Sequence, residues 1–175
     1  MSDYFSQQNE EPQHQVSKRP VLLTVLCILS FIVVGFGLLG VLTSLVGGKP
    51  GVEQIEHAYK GTMQIASDFR DQNQVFFSDM LEQTAEMMAY QQHHYWSVLL
   101  VNFITMGTGF AGVLMMFRGR KLGFHLYIIY NLLSIGGSFL IIPSHMIPMF
   151  AVITNLIFSG VFVFLYSLNL KWMKA

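Results

Sequence analysis

Leu122 to Leu170 reads LGFHLYIIYNLLSIGGSFLIIPSHMIPMFAVITNLIFSGVFVFLYSLNL, 49 residues without an Asp, Glu, Lys or Arg. As a single helix it would reach about 74 Å, more than twice a hydrocarbon core of about 30 Å. The stretch must therefore fold back on itself. Pro143-Ser144-His145-Met146-Ile147-Pro148 is the place, because paired prolines break helices and favour turns. Two membrane spans follow from this, 122–142 and 147–170, with a short outer turn at 143–146.

Working outward, Arg118-Gly119-Arg120-Lys121 precedes this stretch as a basic turn and closes an earlier apolar segment, 97–117. Further upstream, Val21 to Val46 carries no charge over 26 residues, about 39 Å of helix, enough to cross a bilayer with some tilt. That is too long for the apolar core of a cleaved signal peptide, and Cys27 lies inside it behind Leu26, which excludes a lipoprotein processing site. We read it as an uncleaved anchor. The expected fold is all-α: a polytopic membrane protein with four transmembrane helices. Residues 1–20 form a polar tail expected to be disordered, and 171–175 a short basic end.

Composition agrees. Only 11% of residues are charged, against 53% hydrophobic, and the mean hydropathy is +0.48. A soluble domain carries about 25% charged residues, so an ordinary soluble enzyme is excluded. Ten basic residues against ten acidic ones provide no field for nucleic acid. One cysteine excludes a disulfide framework and a cysteine-based zinc site. All ten acidic residues fall at or before Glu86, leaving the chain −5 up to that point and +5 beyond it. Counting Lys and Arg near the span ends places seven on the side of both termini and three in the 47–96 loop. The positive-inside bias then puts both termini and the 118–121 turn in the cytoplasm. That turn, with Leu122-Gly123-Phe124-His125-Leu126-Tyr127 after it, resembles the basic inner turn of many small bacterial membrane proteins. The resemblance covers about ten residues and carries neither a family nor an activity; the expected location is a bacterial inner membrane.

The 47–96 loop is the one soluble segment of any size. Val52, Ile55, Tyr59, Thr62, Ala66 and Phe69 recur at spacings of three and four, which predicts an amphipathic helix. Asp71-Gln72-Asn73-Gln74 interrupts the pattern. A second apolar stripe runs from Phe77 toward Met87 and Met88, with Ser78 and Asp79 as the expected cap of its helix. The loop is read as an extracytoplasmic helical hairpin whose second arm runs toward span two.

Three constellations carry what chemistry the chain has. Gly35-Phe36-Gly37-Leu38-Leu39-Gly40 spells a dinucleotide fingerprint, but it lies inside a span rather than in a βαβ unit. Its expected use is helix packing: Ser30, Gly37, Gly40, Ser44 and Gly47 form a small-residue stripe, echoed by Thr105, Thr108, Gly109 and Gly112 in span two. Asn102, Asn131 and Asn155 lie inside spans two, three and four, where an amide needs a hydrogen-bond partner. Asn102 and Asn155 sit at similar depth, and we expect them to bond across a helix interface as a clasp, with Asn169 at the water-accessible inner edge. His57, His93, His94 and His145 fall on the outer side. His93 and His94 point about 100° apart on a helix, so one ion cannot easily use both, and no metal or other cofactor is expected.

No span holds an ionisable Asp, Glu, Lys or Arg, the usual parts of a proton or ion relay. The intramembrane glutamate of small four-span exporters and the outer-loop cysteines of claudins and tetraspanins are both missing. HExxH, Gly-x-Ser-x-Gly, Cys-x-x-Cys and P-loop motifs do not occur. The leading expectation is a non-enzymatic accessory or scaffold subunit of a membrane complex, presenting its acidic outer loop. Its partners would be the lipid bilayer and either further copies of the chain or other membrane proteins. An oligomeric transporter or channel component with an Asn-lined pathway comes second. A membrane enzyme using an outer-face histidine comes third.

Overall fold

The computed structural model describes residues 20–173. Nearly all of the expected 1–20 tail, with Lys18 and Arg19, and the last two residues lie outside the described residues. The described chain is all-helical, with six α-helices: α1 (Val21–Gly47), α2 (Val52–Asp71), α3 (Val75–His93), α4 (Tyr95–Phe117), α5 (Lys121–Ile141) and α6 (Met149–Ser167). Four of them, α1, α4, α5 and α6, are long and apolar enough to cross a membrane. Their surfaces carry a belt of exposed apolar side chains, including Phe36, Leu100, Leu132, Leu140 and Phe158. So large an apolar surface is incompatible with water.

Each break has a local cause. α4 ends in a Schellman motif: Gly119, at φ 75°, donates to the carbonyl of Met116, and Arg120 donates to that of Met115. α2 ends the same way, with Asn73 at φ 60° taking the glycine position and Gln74 donating to Phe69. The turn between α5 and α6 is a single 3₁₀ turn, Ser144–Met146, flanked by Pro143 and Pro148, and the buried Ile142 and Ile147 hold it down. Only His94 separates α3 from α4; its ring stacks on Tyr90 at 4.5 Å.

Several expectations need correction. Ser78 and Asp79 do not cap α3, which begins three residues earlier; Ser78 is buried and donates to Glu82 at 3.3 Å. Span four was expected over 147–170, but α6 covers Met149–Ser167, and turns continue to Met173. Asn169 is not at a wet edge: it is buried and donates to the Leu165 carbonyl at 3.0 Å.

α4 and α5 form the tightest pair, α1 packs along α4, and α6 leans against α5 and α1 more loosely. Packing is uneven along the spans. The core of Leu23, Leu26, Cys27, Val113, Met116, Phe124, Tyr127 and Tyr166 lies toward the end that carries the Arg118–Arg120 turn. At that end glycines let backbones approach: a Cβ on Gly112 would meet the Tyr127 nitrogen at 3.0 Å, and Gly109 lies under the Tyr130 ring. At the other end the helices part, and α3 crosses the opening. Phe76 of α3 meets Phe150 of α6 with ring centroids 5.5 Å apart. The Gln92 amide donates to the Pro50 carbonyl at 2.7 Å. α2 rests on α3, and Arg70 reaches Asp79 at 3.0 Å and Glu82 at 2.9 Å across the hairpin.

Candidate functional site

The open end of the spans holds two polar regions. The first lies between α1 and α4, roofed by the hairpin. Tyr95 opens α4 and anchors it to α1: its hydroxyl lies 2.6 Å from the Ser44 carbonyl and 2.9 Å from that of Gly48, sharing one proton between them. Beneath Tyr95 is a cavity of about 480 Å³ whose walls include Gly40, Met88, Gln91, Gln92 and Asn102. It borders a second cavity of about 380 Å³ along Val41 and Leu99, lined only by apolar side chains, Trp96 and Phe103 among them.

The small-residue stripe of α1 is therefore not one seam. Gly37 faces Met106 closely, with an added Cβ 2.7 Å from its sulfur, and Ser30 accepts a 2.9 Å hydrogen bond from Tyr166. Gly40 and Gly47 face open space instead. Ser44 turns its hydroxyl to the Gly40 carbonyl at 2.9 Å.

The second region lies between α5 and α6. A cavity of about 350 Å³ bounded by Thr84, Ser134, Ser138 and Asn155 meets another of about 220 Å³ bounded by Ser30, Tyr127, Asn131 and Ser159. Asn155 is common to both. Its amide nitrogen donates to the Ser134 hydroxyl across the helix pair at 3.2 Å, and its oxygen accepts from Ser159 at 3.1 Å. Asn131 donates to its own helix, at the Tyr127 carbonyl, 2.7 Å away. The expected Asn102–Asn155 clasp does not form. α5 and α1 lie between α4 and α6, so spans two and four face each other diagonally and equal depth does not bring them together. The interhelical partner of Asn155 is Ser134, which spacing alone does not reveal, because serine is unremarkable in a span. We expect Asn155→Leu and Ser134→Ala each to cost about 0.6–2 kcal/mol, with the double change costing less than the sum. Steric-trap measurements in bicelles should show this non-additivity, and Asn102→Leu should combine additively with either.

The histidines stand apart. His57 and His145 are exposed on α2 and on the 3₁₀ turn; His94 stacks on Tyr90; His93 lines a shallow cavity with Lys49, Glu56 and Tyr59. Glu56 is held below the usual carboxylate range chiefly by a 2.6 Å hydrogen bond and charge attraction from Lys60, with a smaller attraction from His57. Among the described residues, no three His, Cys, Asp or Glu side chains converge as metal ligands would.

The four long apolar helices and their exposed belt define an integral membrane protein. No protein-family model matches the chain, and neither curated proteins nor solved structures yield a significant match.

Proposed function

We propose that the protein is a non-enzymatic accessory subunit of a membrane complex, and that the α2–α3 hairpin is the part it presents. The observation that carries this reading is the division of α2 into two faces. Ile55, Thr62, Ala66 and Phe69 lie on one side, toward α3. Glu53, Glu56, Asp68 and Asp71 fall within about 120° of one another on the opposite side, with His57 and Lys60 among them. Glu53, Asp68 and Asp71 are exposed and engage no salt-bridge partner among the described residues. The 47–96 segment carries seven acidic and three basic residues, net −4. Such a face suits a partner rich in Lys and Arg, through steering and register more than raw affinity. Crosslinking in native membranes, followed by mild-detergent purification, tests it. A partner captured by the native chain should be lost when Glu53, Asp68 and Asp71 are all changed to Lys. Retention of every captured protein by that triple variant would refute the reading.

In this reading the hairpin is extracytoplasmic and the Arg118–Lys121 turn cytoplasmic, from the seven-to-three basic count. Cys27 is the sole cysteine and is buried, so single thiols can be introduced at two exposed positions, Ser67 and Arg120. In intact cells an impermeant thiol reagent should modify Ser67→Cys and spare Arg120→Cys; the reverse pattern would invert the topology.

A second reading, a component of a pathway for small uncharged polar molecules, is favoured by the two cavities that meet at Asn155. Their largely apolar walls carry hydroxyl and amide groups and no Asp, Glu, Lys or Arg. Aqueous labelling of Ser138→Cys and Ser159→Cys in sealed vesicles would support it over the accessory role, and protection of both would remove it.

A further inference from the structure

We infer that the α1–α4 cavities form a binding site for a neutral single-chain lipid, taken laterally from the bilayer with its uncharged head beneath the hairpin. Polarity is layered. The larger cavity holds the amides of Gln91 and Asn102, and its neighbour holds only hydrocarbon and aromatic side chains. The shared walls, Val41 and Leu99, make them two compartments of one site. Together they fall within the range of small-molecule sites, about 300–1,000 Å³.

Asn102 lies about 10 Å along α4 from its start, at a depth where an amide without a partner is costly. Neither Asn102 nor Gln91 has a side-chain hydrogen bond among the described residues, and both border the larger cavity. A hydroxyl or ester group there would supply what the chain does not. No Asp, Glu, Lys, Arg or His lines either compartment, so a charged head would lie desolvated without a counter-ion. The apolar compartment opens where Leu45, Trp96 and Leu100 are more than half exposed, on the belt that faces lipid. A hydrocarbon chain therefore has a way out into the bilayer, while the head stays inside.

The test uses the full chain in phosphatidylcholine nanodiscs containing a photoreactive monoacylglycerol. Parallel samples carry a photoreactive fatty acid held in its carboxylate form, or a headless photoreactive alkane. Monoacylglycerol should label peptides spanning Val41–Leu45 and Leu99–Phe103, well above the other two probes. Gly40→Leu fills the larger cavity from a position where a Cβ meets nothing within 4 Å, so it should keep the fold and lower labelling at least about tenfold. Asn102→Leu should reduce labelling by about threefold to tenfold, the loss of one or two hydrogen bonds. Equal labelling by the headless alkane would mean bulk lipid contact and overturn the site. So would unchanged labelling in a folded Gly40→Leu variant. Displacement of the probe by free glycerol would also overturn the inference, by transferring the site to a soluble ligand.

Discussion

Replacing Gly123 by leucine is expected to prevent assembly of the four spans. A Cβ at this position would run into the Met116 backbone nitrogen and would lie 2.6 Å from the Gly112 carbonyl oxygen. Both are main-chain atoms of α4, which cannot rotate aside as a side chain would. Relief requires α4 and α5 to separate, yet only Arg118–Arg120 joins them, and that turn is fixed by its Schellman bonds. Gly123→Ala should cost about 1–3 kcal/mol from overpacking. Gly123→Leu should cost more, on the order of 3 kcal/mol or above, and the protein should be recovered only as aggregate or degraded chain. Fluorescence-detected size exclusion in mild detergent reads the outcome, with Gly40→Leu as the matched control. A monodisperse Gly123→Leu protein with native thermal stability would contradict the close approach of α4 and α5.

The second large effect is expected at Tyr166. It is the only buried residue of α6, is fully enclosed, and donates to Ser30 of α1 at 2.9 Å while its ring packs on Tyr127 with centroids 5.0 Å apart. Phe162, Val163 and Leu165 reach the core only in part, so the enclosed Tyr166 ring and its hydrogen bond, with the Asn155–Ser134 bond beside them, fix the position of α6. Tyr166→Ala should cost about 3–5 kcal/mol, the range for truncating a buried aromatic ring, and should free α6 first. Tyr166→Phe keeps the ring and should cost only about 0.6–2 kcal/mol. Hydrogen exchange in nanodiscs separates them: α6 amides should lose protection in the alanine variant and largely keep it in phenylalanine. Uniform protection in Tyr166→Ala would show that α6 is held elsewhere.

The spans were legible because bilayer thickness translates directly into sequence length. The paired prolines at 143 and 148 and the Arg118-Gly119-Arg120 run located the turns for the same reason: each changes what the backbone can do. The break between α2 and α3 was legible only in part. Without Gly or Pro, Asp71–Gln74 reads as a weak interruption, but Asn tolerates the left-handed region, and Asn73 ends α2 as a glycine would. Once α2 stops there, α3 begins at Val75, and Ser78 falls inside its first turn instead of at its cap.

Lateral order was the part that could not be read. Depth follows from counting residues, but which spans are neighbours depends on how four similar apolar surfaces share glycines and aromatics. Gly109 and Gly112 were visible as small residues; that Tyr130 and Tyr127 would cover them was not. The same gap produced the Asn102–Asn155 expectation, and it hid the cavity under the hairpin, which requires knowing that Gly40 faces nothing.

The bond between Tyr166 and Ser30 also sets an order of assembly. α4 and α5 meet across a three-residue turn, so their contact forms as soon as both are inserted. Ser30 and Tyr166 are 136 residues apart, and closing so long a loop adds entropy cost and time. Until α6 arrives, the Ser30 hydroxyl lacks its Tyr166 partner and is left with the Tyr127 hydroxyl of α5 and the carbonyls of its own helix. The finished chain buries Ser30 almost completely, so the last span to arrive is also the one that closes the polar centre of α1.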